Sequence, residues 1–181
     1  MQRSALVVTP PLIAHVRAHM KRCVIAVFAM YALDAGAQES ILSADSLGEI
    51  AFGSKLRQVE GLLNQTAKPR DGYGDESCRY VSFESLPGSL FMVENGTVTR
   101  IEAAPTIRNT LNISVGTRMD EVLKAHPDAQ VIPHQYDPEG HYLIFPSKDN
   151  TAAIVMEVGD GTVTDIRAGL RPSVDYVEGC L

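Results

Sequence analysis

The sequence predicts an α+β fold, made of two tandem copies of a helix followed by antiparallel strands, with the helices packed on one face of the sheet. Three observations support this: a recurring heptapeptide, a helical pattern in each copy and a hairpin pattern after it. Residues 95–101 read NGTVTRI and residues 160–166 read DGTVTDI, so five of seven residues are identical at an offset of 65. Self-similarity at a fixed period indicates a repeated supersecondary unit. We expect copies at 46–103 and 111–168; the alternative is a coincidence of turn chemistry between two hairpins.

Each copy is expected to begin with a short helix. Ser54 and Thr117 are residue types that cap helix N-termini, and Asp120 suits the positive end of the second helix. Apolar residues then recur at steps of three and four, which favours one buried helix face. Pro127 ends the second helix at the residue before it.

Strand patterns follow each predicted helix. Tyr80–Phe83 and Tyr142–Phe145 are rich in aromatic and β-branched residues. Tight-turn sequences at Asn95-Gly96 and at residues 159–161 separate further apolar runs, which predicts a hairpin in each copy. Because helices and strands are grouped rather than alternating, an antiparallel sheet is favoured.

The first 37 residues read as a secretory signal peptide. Lys21-Arg22 precede an apolar stretch of eleven residues, 23–33, and Ala35-Gly36-Ala37 fits the small-x-small cleavage rule. We expect translation to start at Met20 and the mature chain to begin near Gln38; the alternative is a short buried helix. The apolar stretch covers only about half of a ~30 Å hydrocarbon core, so we expect no membrane span. Cys23 lies at the start of this stretch, whereas an anchor cysteine must follow it at the cleavage point, so we expect no lipid anchor.

Composition and charge exclude several classes of protein. The chain is 45% hydrophobic, which is too much for a disordered protein. Its formal net charge is -6, and removal of residues 1–37 makes it about -9. Nucleic-acid binders need clustered Lys and Arg, so we expect no nucleic-acid partner. The expected mature product, residues 38–181, is a single folded domain, two repeats plus a C-terminal tail, located in the periplasm or secreted.

Two cysteines remain in the mature chain, Cys78 and Cys180. Disulfides form and persist in exported proteins, so we predict that these two cysteines pair. The alternative is two reduced, buried thiols.

Motifs for catalysis are absent from the sequence. It contains no nucleophile elbow, Walker loop, dinucleotide-binding fingerprint or His-Glu-x-x-His helix. We therefore expect that the protein is not an enzyme and has neither catalytic residues nor a cofactor. Two polar loops remain, 134–141 and 71–76. In the first, His134, Asp137 and His141 are weak candidates for metal ligands. Their spacing fits no metal pattern, and Pro and Gly in the loop favour a solvated turn instead.

A family resemblance rests on one structural pattern. The pattern apolar-x-x-Gly-[Ser/Thr]-x-x-x-x-Val occurs at 50–59 and 113–122, and each copy has a hairpin ending in Val-x-x-Ile. This resembles the shared fold of β-lactamase inhibitory protein and the small outer-membrane assembly lipoprotein A, and the duplication is closer to the former. The resemblance implies a protein partner and no enzymatic activity. No inhibitory residue carries over, because no matching motif is found.

The predicted function is therefore that of an exported, non-catalytic protein-binding or inhibitor-like module. The alternatives are a binder of a small ligand, glycan or metal through loops 134–141 and 71–76, and an unrecognised hydrolase.

Overall fold

The computed structural model describes residues 40–180, apart from the side chain of Tyr73. The predicted signal peptide, residues 1–37, lies outside the described residues. The elements follow in chain order: β1 Ser46–Leu47, β2 Ile50–Ala51, α1 Leu56–Leu63, β3 Lys68–Gly74, β4 Cys78–Ser82, β5 Leu90–Glu94, β6 Thr97–Glu102, α2 Met119–Ala125, β7 Gln130–Pro133, β8 His141–Pro146, β9 Ala152–Gly159, β10 Thr162–Leu170 and a 3₁₀ turn, η1, Ser173–Asp175.

One antiparallel sheet of eight strands dominates the structure, in the order β3-β4-β5-β6-β10-β9-β8-β7. The strands β6 and β10 join its two halves, with Ile101 opposite Ala168. Strands β1 and β2 form a separate two-stranded sheet. The two central hairpins turn where the sequence predicts. In the first, Asn95 and Gly96 have φ values of 49° and 74°, the left-handed values that a type I′ turn requires.

The predicted α+β fold of two helix-plus-strand copies, 46–103 and 111–168, is wrong. The described chain is mainly β: its two α-helices have only eight and seven residues. The strands of the two predicted copies all belong to a single eight-stranded sheet, apart from β1 and β2. Strands β3 and β7, which are polar or short and lie at the two edges of the sheet, carry no strand pattern in the sequence. An edge strand is paired on one side only, so it needs neither regular alternation nor a β-branched run.

The helices also begin one residue later than predicted. Their N-cap residues are Lys55 and Arg118, both with extended backbone. At α1 the Lys55 N–H donates to Gln58 Oε1 at 2.9 Å, which satisfies one backbone donor at the helix start. Thr117, predicted as a cap, instead accepts a hydrogen bond from the Ser114 N–H at 3.2 Å.

The main hydrophobic core lies on one face of the sheet, called here the core face. Val59 of α1 and Val122 of α2 belong to the same buried cluster as Phe91 and Met156 of the sheet. Phe83 packs edge-on against Phe91 with ring centroids 5.3 Å apart, a favoured aromatic geometry. Since both helices cover the core face, the opposite face is left for the C-terminal tail.

Candidate functional site

The C-terminal tail, residues 171–180, crosses the second face of the sheet, called here the tail face. Val174 is fully buried against Tyr142 of β8. Farther along, Cys180 packs on Tyr80 of β4. The tail therefore runs across the sheet from the β8 side to the β4 side.

A disulfide between Cys78 and Cys180 fastens the end of the tail, with the two Cα atoms 5.4 Å apart. The predicted pairing of these cysteines is confirmed. Gly179 has a φ of 70° and lies so close to Tyr80 that a Cβ atom there would be 2.2 Å from the phenol oxygen. Only glycine fits both the backbone conformation and this approach.

Two buried arginines of the sheet hold the tail by its backbone. Each has only 4% of its surface exposed. Arg100 donates from Nη1 to the Ser173 carbonyl at 3.2 Å and also to the Tyr176 carbonyl. Arg167 donates from Nε to the Val174 carbonyl at 2.9 Å. Hydrogen bonds from charged donors are stronger than neutral ones, so these contacts satisfy tail carbonyls that would otherwise be buried without partners.

Three side chains, His134, Arg167 and Glu157, form a cluster with the ring of Tyr142. The His134 imidazole stacks on this ring with centroids 4.5 Å apart, and the Arg167 guanidinium carbon lies 5.2 Å from the ring centroid. Glu157 joins the two: one carboxylate oxygen pairs with Arg167, and the other lies 3.8 Å from His134 Nε2. These contacts fix the position of a largely buried phenol.

The Tyr142 hydroxyl is buried and makes no hydrogen bond of good geometry among the described residues, although the Gln135 backbone and the Arg167 side chain lie within its reach. Burial raises its pKa above the ordinary tyrosine value, and the Glu157 carboxylate adds to this rise. Tyr80, on the other side of the tail, donates from its hydroxyl to Glu102 at 3.2 Å, and burial, with a further contribution from Glu102, raises its pKa to about 12. Buried polar groups normally find partners, so Tyr142 is the exception to explain.

Tyr142 lines a depression of about 240 Å³ between the tail and the β7 side of the sheet, called here the β7 cavity. Its apolar walls are formed by Ile132, Pro133, Ile144, Val155 and Val177. Its polar groups come from Tyr142, Arg167, Gln135 and Asp175. A second depression, of about 290 Å³, lies on the other side of the tail, and Val177 lines both. The tail thus divides the open part of this face into two small recesses.

Exposed apolar side chains concentrate on β7, on the loop after it and on the tail. Six large apolar side chains are exposed among residues 40–180, and four of them belong to β7, the loop after it or the tail. These four are Val131, Ile132, Tyr136 and Tyr176, exposed by 42%, 44%, 62% and 39%. The Tyr136 hydroxyl donates to Glu178 of the tail. The combination of aromatic groups, aliphatic groups and a charged rim is typical of protein interfaces.

The three predicted metal candidates do not converge. His134 Nδ1 accepts backbone N–H bonds from Tyr136 at 3.1 Å and Asp137 at 3.0 Å, so this nitrogen has a role within the loop. Asp137 accepts the Glu139 N–H at 3.0 Å. His141 directly precedes Tyr142 on β8, so its side chain points to the opposite face from the ring on which His134 stacks. No group of three metal-ligating side chains occurs among the described residues.

Loop 71–76 is only partly a loop, since β3 extends to Gly74. After it, Asp75 Oδ1 accepts hydrogen bonds from the Ser77 N–H at 2.7 Å, the Ser77 hydroxyl and the Cys78 N–H. The Ser77 hydroxyl, followed by the two backbone donors, lowers the pKa of this carboxyl. Asp75 therefore closes the turn that leads to the disulfide-bonded Cys78.

Sequence reasoning missed Arg100, Arg167 and Glu157. Each alternates along its strand with residues of the core face, a pattern that indicates solvent-facing positions. The one available signal is that charged residues occur in the middle of otherwise apolar strands. That signal does not reveal that a distant tail covers them.

No protein-family model, curated protein or solved structure matches the chain. Among residues 40–180, no helix has the length and apolar character needed to cross a bilayer.

Proposed function

We propose that the chain is an exported, non-catalytic protein-binding module whose binding surface is the tail face beside β7. The observation that carries the proposal is that exposed Ile132 lines the β7 cavity, while exposed Tyr136 and Tyr176 each directly follow a residue that lines it. Tyrosine side chains beside a recess are among the groups that most often anchor protein partners.

The size and walls of the β7 cavity agree with a protein partner. At about 240 Å³ it is smaller than the roughly 300 to 1,000 Å³ typical of small-molecule sites. Its lining includes neither Asp137 nor His141, which a metal or glycan site in loop 134–141 would use. A recess of this size suits one side chain of a larger partner.

The proposed compartment is the periplasm or the medium. The Cys78–Cys180 disulfide persists in oxidising compartments, and the sequence pattern of residues 20–37 reads as an export signal. The sequence resemblance to β-lactamase inhibitory protein agrees with a protein partner.

Site-specific photo-cross-linking tests the proposal. A photoreactive phenylalanine derivative replaces Tyr136 in the producing cells, and a matched derivative replaces Leu62, which is 47% exposed on α1. We expect a discrete protein adduct at position 136 that is missing at position 62. Equal adducts at both positions, or none at position 136, would overturn the proposal.

A further inference from the structure

The two edges of the eight-stranded sheet differ in their protection against pairing. Edge strand β3 reads KPRDGYG. It carries two cationic residues, a proline without a donor and a break in register between Pro69 and Gly74. Charges, proline and bulges are the devices that prevent an edge from pairing with another chain. Edge strand β7 reads QVIP, carries no charge, and is exposed along its whole length.

The outer edge of β7 offers hydrogen-bonding groups that no strand within residues 40–180 uses. The His134 N–H donates to the Gly140 carbonyl, and the register continues with Ile132 opposite Tyr142. Along one strand of an antiparallel pair, every second residue directs its N–H and carbonyl at the partner strand. His134 does so, and Ile132, two residues earlier, therefore also directs its N–H and carbonyl at β8. Val131 therefore presents its N–H and carbonyl outward. Pro133 also presents its carbonyl outward, and its missing N–H costs the pairing with β8 nothing, because that position does not face β8.

The β7 cavity adjoins this open edge. Ile132 and Pro133 of β7 line it. If another strand pairs with the outer edge of β7, those of its side chains that point to the tail face lie at the mouth of the cavity. Strand addition of this kind takes affinity from backbone hydrogen bonds and specificity from a pocket for alternate side chains.

The inner surface of the cavity defines the side chain that fits. Its walls are mainly aliphatic, and the Tyr142 hydroxyl is closed to solvent rather than open to the cavity. An apolar side chain fits these walls, and the rings of phenylalanine and tyrosine bury the most apolar surface there.

The loop beside the cavity sets the charge of the partner. Asp137 and Glu139 form no ion pair among the described residues, and the tail adds Glu178, which accepts from Tyr136. The nearby cations Arg167 and Arg171 are already paired with carboxylates. The surplus is negative, which favours a cationic partner.

We infer that an extended, cationic segment of a partner protein adds antiparallel to β7, bonds to the Val131 backbone and inserts one aromatic side chain into the β7 cavity. This inference rests on the proposed function and specifies the chemistry of the partner.

Binding of short peptides to the purified, oxidised protein tests the inference. The probes are the capped peptide Lys-Thr-Val-Tyr-Val-Thr-Lys and its counterparts with Phe or Gly at the centre. We expect the Tyr and Phe peptides to bind with similar affinity and at least about tenfold more tightly than the Gly peptide, because only they bury an aromatic ring in the cavity.

Hydrogen exchange of the Val131 amide, followed by NMR, tests the backbone pairing directly. The amide should exchange more slowly when the Tyr peptide is bound. Val131→Pro, which removes only an outward donor, should abolish peptide binding, while the matched variant Val131→Thr should retain it.

The opposite results overturn the inference: unchanged Val131 exchange at saturating peptide, no binding by any peptide, or equal affinity for the Tyr, Phe and Gly peptides. A concentration-dependent dimer that Val131→Pro dissociates would assign the edge to a second copy instead. If the peptides fail while position 136 still cross-links to a partner, the strand-addition inference falls and the proposed function stands.

Discussion

Loss of the disulfide is expected to destabilise the protein and to release the tail before the core. In the chain-entropy model, a cross-link closing about 100 residues stabilises a protein by about 4.7 kcal/mol, and Cys78 and Cys180 are separated by 102 residues. Because denatured chains retain some structure, the measured loss for Cys180→Ser should be about 2 to 5 kcal/mol. The tail should loosen first, since Cys180 is buried at its end and chain ends fray when nothing fastens them.

Urea unfolding of the oxidised protein and of Cys180→Ser measures this loss, and amide exchange of residues 174–178 measures the loosening. The double variant Cys78→Ser/Cys180→Ser is the control, because the bond can be lost only once and the two losses should be nearly equal. A loss below about 1 kcal/mol, or exchange that accelerates equally in core and tail, would refute the reasoning.

Three further perturbations test the packing and the charges. Arg167→Met should lower the free energy of unfolding by about 2 to 4 kcal/mol, because it leaves Glu157 and the Val174 carbonyl without their buried donor. Urea unfolding measures this loss, and the double variant Arg167→Met/Glu157→Gln should recover part of it. Phe91→Ala, at a fully buried position, should cost about 3 to 5 kcal/mol by the same assay, against at most about 0.5 for the exposed control Leu62→Ala. Hydrogen bonds from Ser147 and Thr151 lower the pKa of Asp149 to about 2. The contribution of Asp149 to the free energy of unfolding is therefore fully present above its pKa in the unfolded chain, near 3.9, and is lost as the pH falls toward 2. Urea midpoints between pH 4 and 2 should therefore fall less in Asp149→Asn than in the unaltered protein.

Local chemistry allowed part of the fold to be predicted. The turn at Asn95-Gly96 has left-handed backbone at both residues. Few dipeptides adopt this conformation readily, so the hairpin could be predicted from the sequence. The pairing of Cys78 with Cys180 followed from the inferred compartment and the count of cysteines. Strands β3 and β7 were missed because an edge position relaxes the residue pattern on which strand prediction depends.

The candidate site could not be predicted, since its contacts are distant in sequence. Arg100 and Arg167 read as solvent-facing strand residues until residues 171–180 are seen to cover them. Conversely, His134 and His141 are close in sequence but point to opposite sides of β8, so proximity in sequence suggested a metal site that the geometry does not form.

The most direct test of the central claim is an amide-exchange footprint of the complex with the protein captured at position 136. If the partner covers the tail face beside β7, residues 130–136 and 174–178 should exchange more slowly in the complex, while helix α1, residues 56–63, should exchange as in the free protein. Protection confined to α1, with unchanged exchange at 130–136, would contradict the account.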